Sequence, residues 1–298
     1  MNNLPRRSVV LPTLALFATL YGCATTTSPT NAKPARSGDC IPEVIDTYTP
    51  DRRALSLVAC FNEPDPALRD AYGYTQFAAV LRDGGLTDET VLALNDQVSL
   101  MLKQPDSDGF QQPFAALALA EIVRVDRIKP VFNNVQRSAI VKLATDYVIN
   151  VRDYRGFSEA EGWRHGVAHG ADLLLQLTLN PNIRDEAMPE IVNAAISQVP
   201  GYNKHAYVFG EPGRLARPVL YAAQRRVIAN DAWRPLLMAL ARPNGAEWAE
   251  AYNTESDLAR LHNTRAFLQS LYSQIAEVEA EAFQPFKNAV RDALRALP

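Results

Sequence analysis

The sequence lacks most of the signatures that name a chemistry. It holds only three cysteines and four histidines in 298 residues, and no histidine lies near Cys40 or Cys60, which disfavours a cysteine-based metal site. Fourteen glycines and 20 prolines are too few for a collagen-like or disordered chain. Basic residues are not in excess: 30 Lys and Arg stand against 33 Asp and Glu, for a formal net charge of -3. That balance argues against nucleic acid as the main partner, because phosphate binding needs a basic surface. There is no HExxH pattern, no Ser or Cys nucleophile elbow and no phosphate-cradling glycine loop. What is present is ordinary for a globular chain, 47% hydrophobic and 21% charged, and long enough for one extended domain or two smaller ones.

The first forty residues read as an export and anchoring segment. Arg6 and Arg7 form a positive start with no acidic residue near them, and Val9 to Leu20 is apolar but too short to span a membrane. The twin arginines are not followed by the rest of a twin-arginine motif. Leu20-Tyr21-Gly22-Cys23 resembles the lipobox of bacterial lipoproteins, with Tyr21 bulkier than the usual occupant; an ordinary secretory signal cut nearby is the alternative. The resemblance implies a signal peptide over 1–22 and acyl chains, palmitate included, on Cys23. Residues 23–39 are rich in Ala, Thr, Ser, Pro and Lys without apolar periodicity, as in a flexible tether. Ala24 follows the cysteine where an Asp would act as an inner-membrane retention signal. Resemblance to other lipoproteins then implies the outer membrane, facing the periplasm, with the lipid as the contact to the bilayer.

In such an oxidising compartment the remaining pair, Cys40 and Cys60, is expected to close a disulfide, with two buried free thiols as the alternative. From about residue 43 the apolar positions recur at three and four, as in helices, and no β-rich run appears. Leu68, Tyr72, Phe77, Val80 and Leu81 mark one helix; Val91, Leu94, Val98 and Leu102 mark another, begun by Thr87 as N-cap. Phe114–Val123 and Ile140–Val148 continue the series. Breakers separate them at Pro105, Pro130, Gly156, Pro181, Pro200-Gly201, Pro212-Gly213 and Pro243-Asn244-Gly245. The helices recur at intervals of roughly 20–25 residues, as in stacked helical hairpins of HEAT-like or other α-α superhelical arrays. The fold expected over 40–298 is therefore all-α, an irregular array with no repeat that aligns from unit to unit.

One segment is dense in chemistry: Ser158 through Asp172, which contains Trp163, His165, Gly166, His169, Gly170 and Asp172. Ser158 with Glu161 three residues later fits a capping box, so a helix is expected to begin there. On that helix His165, His169, Asp172 and Gln176 fall within roughly 60° of one another, and the rest of the wheel is apolar or small. Gly166 and Gly170, one turn apart, would admit a neighbouring helix closely. Three readings of the stripe stand open: a buried, satisfied polar network; a divalent transition-metal site on His165, His169 and Asp172, or a general base with its orienting carboxylate; and binding of an organic ligand.

Arg155-Gly156-Phe157 and the run from Glu161 to Asp172 resemble the hallmark of the bacterial domain of unknown function 2785 family. Phe114–Ala120, Gly210-Glu211 with Arg214-Leu215-Ala216, and Asn263–Tyr272 resemble its other segments in the same order, so that the likeness spans roughly residues 50–275. Pro212 departs from the acidic residue expected after Glu211. The resemblance implies an all-α fold and no established reaction. It adds Glu211, Arg214, Asn263 and Arg265 to Trp163, His165, His169 and Asp172 as catalytic or ligand-binding candidates, with Arg265 a possible partner for Asp172 or Glu211. His205 reads as a loop residue, and Arg225-Arg226 as a solvated helix face. Trp233, Trp248 and Tyr252 are either core or a sugar-binding face. The expectation for the whole chain is a membrane-tethered helical module that binds a protein or an envelope component, with a hydrolase-like enzyme centred on His165, His169 and Asp172 as the alternative.

Overall fold

The computed structural model describes residues 38–202, 204–242, 248 and 251–298. The signal peptide, Cys23, nearly all of the tether and the Pro243-Asn244-Gly245 breaker lie outside the described residues. Within them the fold is all-α. Short helices α1 (Pro42–Ile45) and α2 (Pro50–Leu57) both open on a proline, whose fixed φ and missing N–H suit the first helical turn. After a 3-10 turn comes a π-helical segment, Ala67–Tyr74, which runs directly into α3 (Thr75–Asp83), closed by Gly84 in a left-handed conformation. The series continues through α4 (Asp88–Lys103), α5 (Gln111–Ile128), α6 (Asn134–Asn150), α7 (Gly166–Leu179), α8 (Met188–Ser197), α9 (Glu211–Arg225), α10 (Trp233–Ala241), α11 (Glu255–Ile275) and α12 (Gln284–Arg295).

Local sequence explains several boundaries. Thr87 caps α4 by accepting the Thr90 N–H, as its spacing suggested, and Asn133 with Gln136 forms a full capping box on α6. Arg225 does not lie on a free solvated face: its guanidinium donates to the carbonyls of Thr178, Asn180 and Ile183, closing the end of α7.

The packing is that of stacked hairpins. Helices α3, α5, α7, α9 and α11 lie side by side in chain order as one layer, and α4, α6 and α8 pack behind them. Helix α12 covers α10 and α11. Helix α7 is central and almost wholly buried; only Asp172, Gln176 and Leu179 escape full burial. Gly166 and Gly170 have the role their spacing suggested. A Cβ at Gly170 would lie 2.7 Å from a Val148 methyl, and one at Gly166 would lie 3.1 Å from the Tyr147 hydroxyl, so α6 approaches there. Cys40 and Cys60 are joined in a disulfide, both buried. No helix among the described residues is long and apolar enough to cross a membrane.

Candidate functional site

The helix of the dense motif begins at Gly166, not at Ser158. Residues 157–163 instead form a small antiparallel hairpin, β1 (Phe157–Ser158) and β2 (Gly162–Trp163), with Phe157 opposite Trp163. Ser158 and Glu161 do interact, but the Ser158 Oγ accepts the Glu161 N–H across the hairpin turn, 3.1 Å away. A short hydroxyl side chain satisfies an N–H three residues on in a turn as readily as at a helix start, and this is why the spacing misled. Gly162 sits at φ 71° with its missing side chain facing Pro66, Arg69 and Asp70. Arg69, in the π segment, is fully buried. It reaches the Glu161 carbonyl and lies 3.9 Å over the Phe110 ring, while Asp70 accepts the Trp163 N–H at 3.0 Å.

The hairpin leads directly into His165, the N-cap of α7. Its backbone is left-handed, φ 59°, and its N–H donates to the Arg155 carbonyl at 3.0 Å. The imidazole stacks on Trp163 with centroids 4.6 Å apart. Its Nε2 is buried, has no hydrogen-bond partner and stands 3.6 Å from a Glu211 carboxylate oxygen. Glu211 is itself buried at the first turn of α9, just after Gly210 at φ 88°, and accepts the Phe209 N–H. Burial acts to raise its pKa, but the His165 side chain and the backbone N–H groups outweigh burial and hold it below the ordinary carboxylate value. The void between these groups, lined by Tyr154, Arg155, Tyr207 and Val167, has no room for a water molecule.

His169 lies one turn further on, with ring centroids 5.6 Å from His165 and 5.4 Å from Phe114. Its Nδ1 is 3.1 Å from the Pro113 carbonyl; a carbonyl only accepts, so the proton sits on Nδ1. Burial, with smaller contributions from His165 and Arg214, pushes its pKa well below the usual histidine value, so the ring is neutral at pH 7. Asp172 pairs with Arg214 of α9, not with either imidazole. Burial raises the Asp172 pKa, and Arg214 only partly offsets this. Thus His165, His169 and Asp172 do not converge as a metal cage, and no group of three or more His, Cys, Asp or Glu side chains among the described residues is arranged as one.

The remaining candidates separate. Asn263 is fully buried and holds the 200–207 loop: its Oδ1 accepts the Tyr207 N–H at 2.8 Å and its Nδ2 donates to the carbonyls of Pro200 and His205. Arg265 pairs with neither Asp172 nor Glu211; it donates to the Pro298 carbonyl at the end of α12. Trp233 is core, against Phe286. In their place the fold brings up residues the sequence did not single out. Tyr74 and Arg82 meet Glu121 of α5 beside Asp172, and Phe209 closes on Trp163 from the loop before α9. Glu121, the one charged residue in the apolar run Phe114–Val123 of α5, carried a signal; Arg69, Asp70 and Phe209 did not. Phe157 and Phe209, 45% and 36% exposed, and Val208, 69% exposed, leave an apolar patch around Trp163.

The family model described as a protein of unknown function (DUF2785) matches residues 98–273, and the chain belongs to that family. The match contains the hairpin, α7, Glu211 and Arg214. Neither the curated proteins nor the solved structures yield a match.

Proposed function

We propose that the protein is a membrane-tethered binding module that holds a protein or envelope component against the patch formed by Phe157, Trp163, Val208 and Phe209. The observation that carries this reading is the patch itself: the hairpin, through Phe157, and the loop before α9, through Val208 and Phe209, present large apolar side chains to solvent beside Trp163. Exposed apolar side chains grouped in this way mark interaction sites more often than chemistry. The polar motif behind the patch is closed, with no space for a substrate at His165 and Glu211. A tether in the outer membrane through acyl chains on Cys23, facing the periplasm, fits the lipobox-like sequence, and the Cys40–Cys60 bond suits an oxidising compartment.

A photo-crosslinking amino acid placed at Val208 in whole cells should form an adduct with an envelope component, and Phe157→Ser should remove it without changing the circular dichroism of the purified protein. No adduct at Val208, or one indifferent to Phe157→Ser, defeats the patch reading. The tether is tested separately: radiolabelled palmitate should enter the parent and not Cys23→Ser.

A second reading rests on His165. A left-handed, non-glycine backbone, an unpartnered buried nitrogen and a carboxylate nearby are features that also occur where a histidine acts as general base. Modification of native protein with diethyl pyrocarbonate decides between them. A buried structural His165 stays unmodified, whereas a base served by an opening site reacts.

A further inference from the structure

A cavity of about 450 Å³ opens between the end of α4, the loop after it, the end of α6 and the first residue of α7. Gly166 contributes space to it. A Cβ there would lie 3.1 Å from the Tyr147 hydroxyl, 3.5 Å from a Val151 methyl and 3.6 Å from the Pro113 ring, and all three residues line the cavity. Leu102 and Leu143 extend this apolar lining. Small-molecule sites of roughly 300–1,000 Å³ are built in this way, from apolar walls with a few fixed polar groups.

Five charged side chains also line the cavity, and three of them already have partners. Asp146 pairs with Lys142, and Asp153 pairs with Arg155. Arg152 donates to the carbonyls of Ile149 and Val151 and lies 4.1 Å over the Tyr202 ring. Asp106 and Lys103 remain. The Asp106 carboxylate accepts the backbone N–H groups of Gly109 and Gln112, each at 2.8 Å, and has no cation on it among the described residues. These two bonds fix it at the start of α5. After burial, Asp106 is the largest cause of the raised Tyr147 pKa, so its charge is felt at the cavity wall. The Lys103 side chain, exposed at the last residue of α4, has neither a hydrogen bond nor an ion pair among the described residues. The two are three residues apart in the chain and are not paired with each other.

We propose that this cavity binds a small zwitterion of the amino-acid class, a free amino acid or a short peptide with an apolar side chain, with its ammonium on Asp106 and its carboxylate on Lys103. A carboxylate that accepts two N–H groups keeps lone pairs for an ammonium, and such charge-assisted bonds are the strong ones. A simple anion would meet three carboxylates in the same walls, and a simple cation would meet Lys103 and Arg152. A zwitterion offers each sign to its opposite, and its side chain has Leu102 and Leu143 to pack against. The cavity shares no residue with the patch around Trp163, so the inference stands apart from the function proposed above.

The test is isothermal titration calorimetry of the purified full chain with leucine, the dipeptide Leu-Leu, N-acetyl-Leu-Leu, which lacks the ammonium, and Leu-Leu-amide, which lacks the carboxylate. At least one of the two zwitterions should bind, and whichever binds more tightly identifies the source as free amino acid or peptide. Each blocked dipeptide should bind about fivefold or more weakly than Leu-Leu. Lys103→Gln, at an exposed and unpaired side chain, should weaken the zwitterion by a similar factor with unchanged circular dichroism and leave the amide as it was. Lys142→Gln, an exposed lysine outside the cavity walls, is the control and should bind like the parent. The proposal is overturned if neither zwitterion binds, if blocking either end has no effect, or if Lys103→Gln binds like the parent.

Discussion

The Asp70 carboxylate accepts the backbone N–H of Trp163 at 3.0 Å, so a residue of the π segment holds the strand from which the motif's aromatic ring projects. Asp70 is also the ion-pair partner of Arg69, whose side chain is fully buried. Burial raises the Asp70 pKa, and both contacts work against that rise. A π segment at this point is consistent with its purpose, since the extra residue per turn re-aims side chains that a regular helix would place elsewhere.

Asp70→Ala should therefore be among the most damaging single changes in the chain. It strands the Trp163 N–H and leaves the Arg69 charge uncompensated in the interior, for an expected loss of about 3–5 kcal/mol. Urea denaturation of the purified protein measures it. A loss below about 1 kcal/mol means that water replaces Asp70 without penalty and that the hairpin is held by other contacts.

His165 makes a second, sharper case. Its φ of 59° lies where a side chain costs roughly 1–2 kcal/mol and glycine costs little. His165→Ala keeps that strain and loses the stack on Trp163, worth about 0.5–1.5 kcal/mol. His165→Gly loses the same stack and relieves the backbone. The glycine variant should be more stable than the alanine variant by about 1 kcal/mol, the reverse of the order inside a helix. Alanine equal to glycine in urea denaturation would show that the left-handed backbone carries no strain.

The helices were legible because their information is local: apolar spacing, Thr87 before α4 and the glycines of α7 each act within a few residues of themselves. The Cys40–Cys60 pairing was legible because reading Cys23 as a lipid-bearing residue leaves one partner for each of the other two. The start of α7 was not, because Ser158 and Glu161 satisfy a turn and a capping box by the same hydrogen bond. Nor was the site itself fully legible. Asp172 reads on a wheel as a partner of His169, yet Arg214, 42 residues on, takes it, and His165 faces Glu211 instead. Such choices depend on which helix lies beside which, and that is set by packing of the whole layer. Glu211 and Arg214 entered only through family resemblance, and Arg265, which entered the same way, turned out to bind the Pro298 carbonyl.

The disulfide closes a segment of 20 residues and lies against the π segment, where the Gly73 Cα approaches Cys60. Chain-entropy arithmetic for such a loop gives about 3 kcal/mol. Cys40→Ser combined with Cys60→Ser should lower unfolding stability by about 2–4 kcal/mol, and reductant should do the same to the parent but leave the double variant unaffected. Parent protein indifferent to reductant would contradict the linkage.

The last prediction concerns Asp172 and pH. Burial raises its pKa above the ordinary value of 3.8 despite Arg214 beside it, so the folded protein holds this proton more tightly than the unfolded chain does. Between 3.8 and the raised value the native state binds more protons than the unfolded state; the stability contributed by Asp172 therefore falls as pH rises through that window and stays reduced above it. Asp172→Asn imitates the protonated form and removes this pH-dependent penalty. The substitution forgoes the ion pair, but Arg214 is 45% exposed and returns to water, where such pairs are worth about 0–1 kcal/mol. The variant should match the parent near the ordinary carboxylate pKa, where both carry an uncharged side chain, gain on it as pH rises through that window, and keep the gain above it. Thermal unfolding of both proteins across that range reads the difference. Should Asp172→Asn lose stability relative to the parent as pH rises, the carboxylate is stabilised by Arg214 more than it is penalised by burial. The pair would then be a structural clasp between α7 and α9.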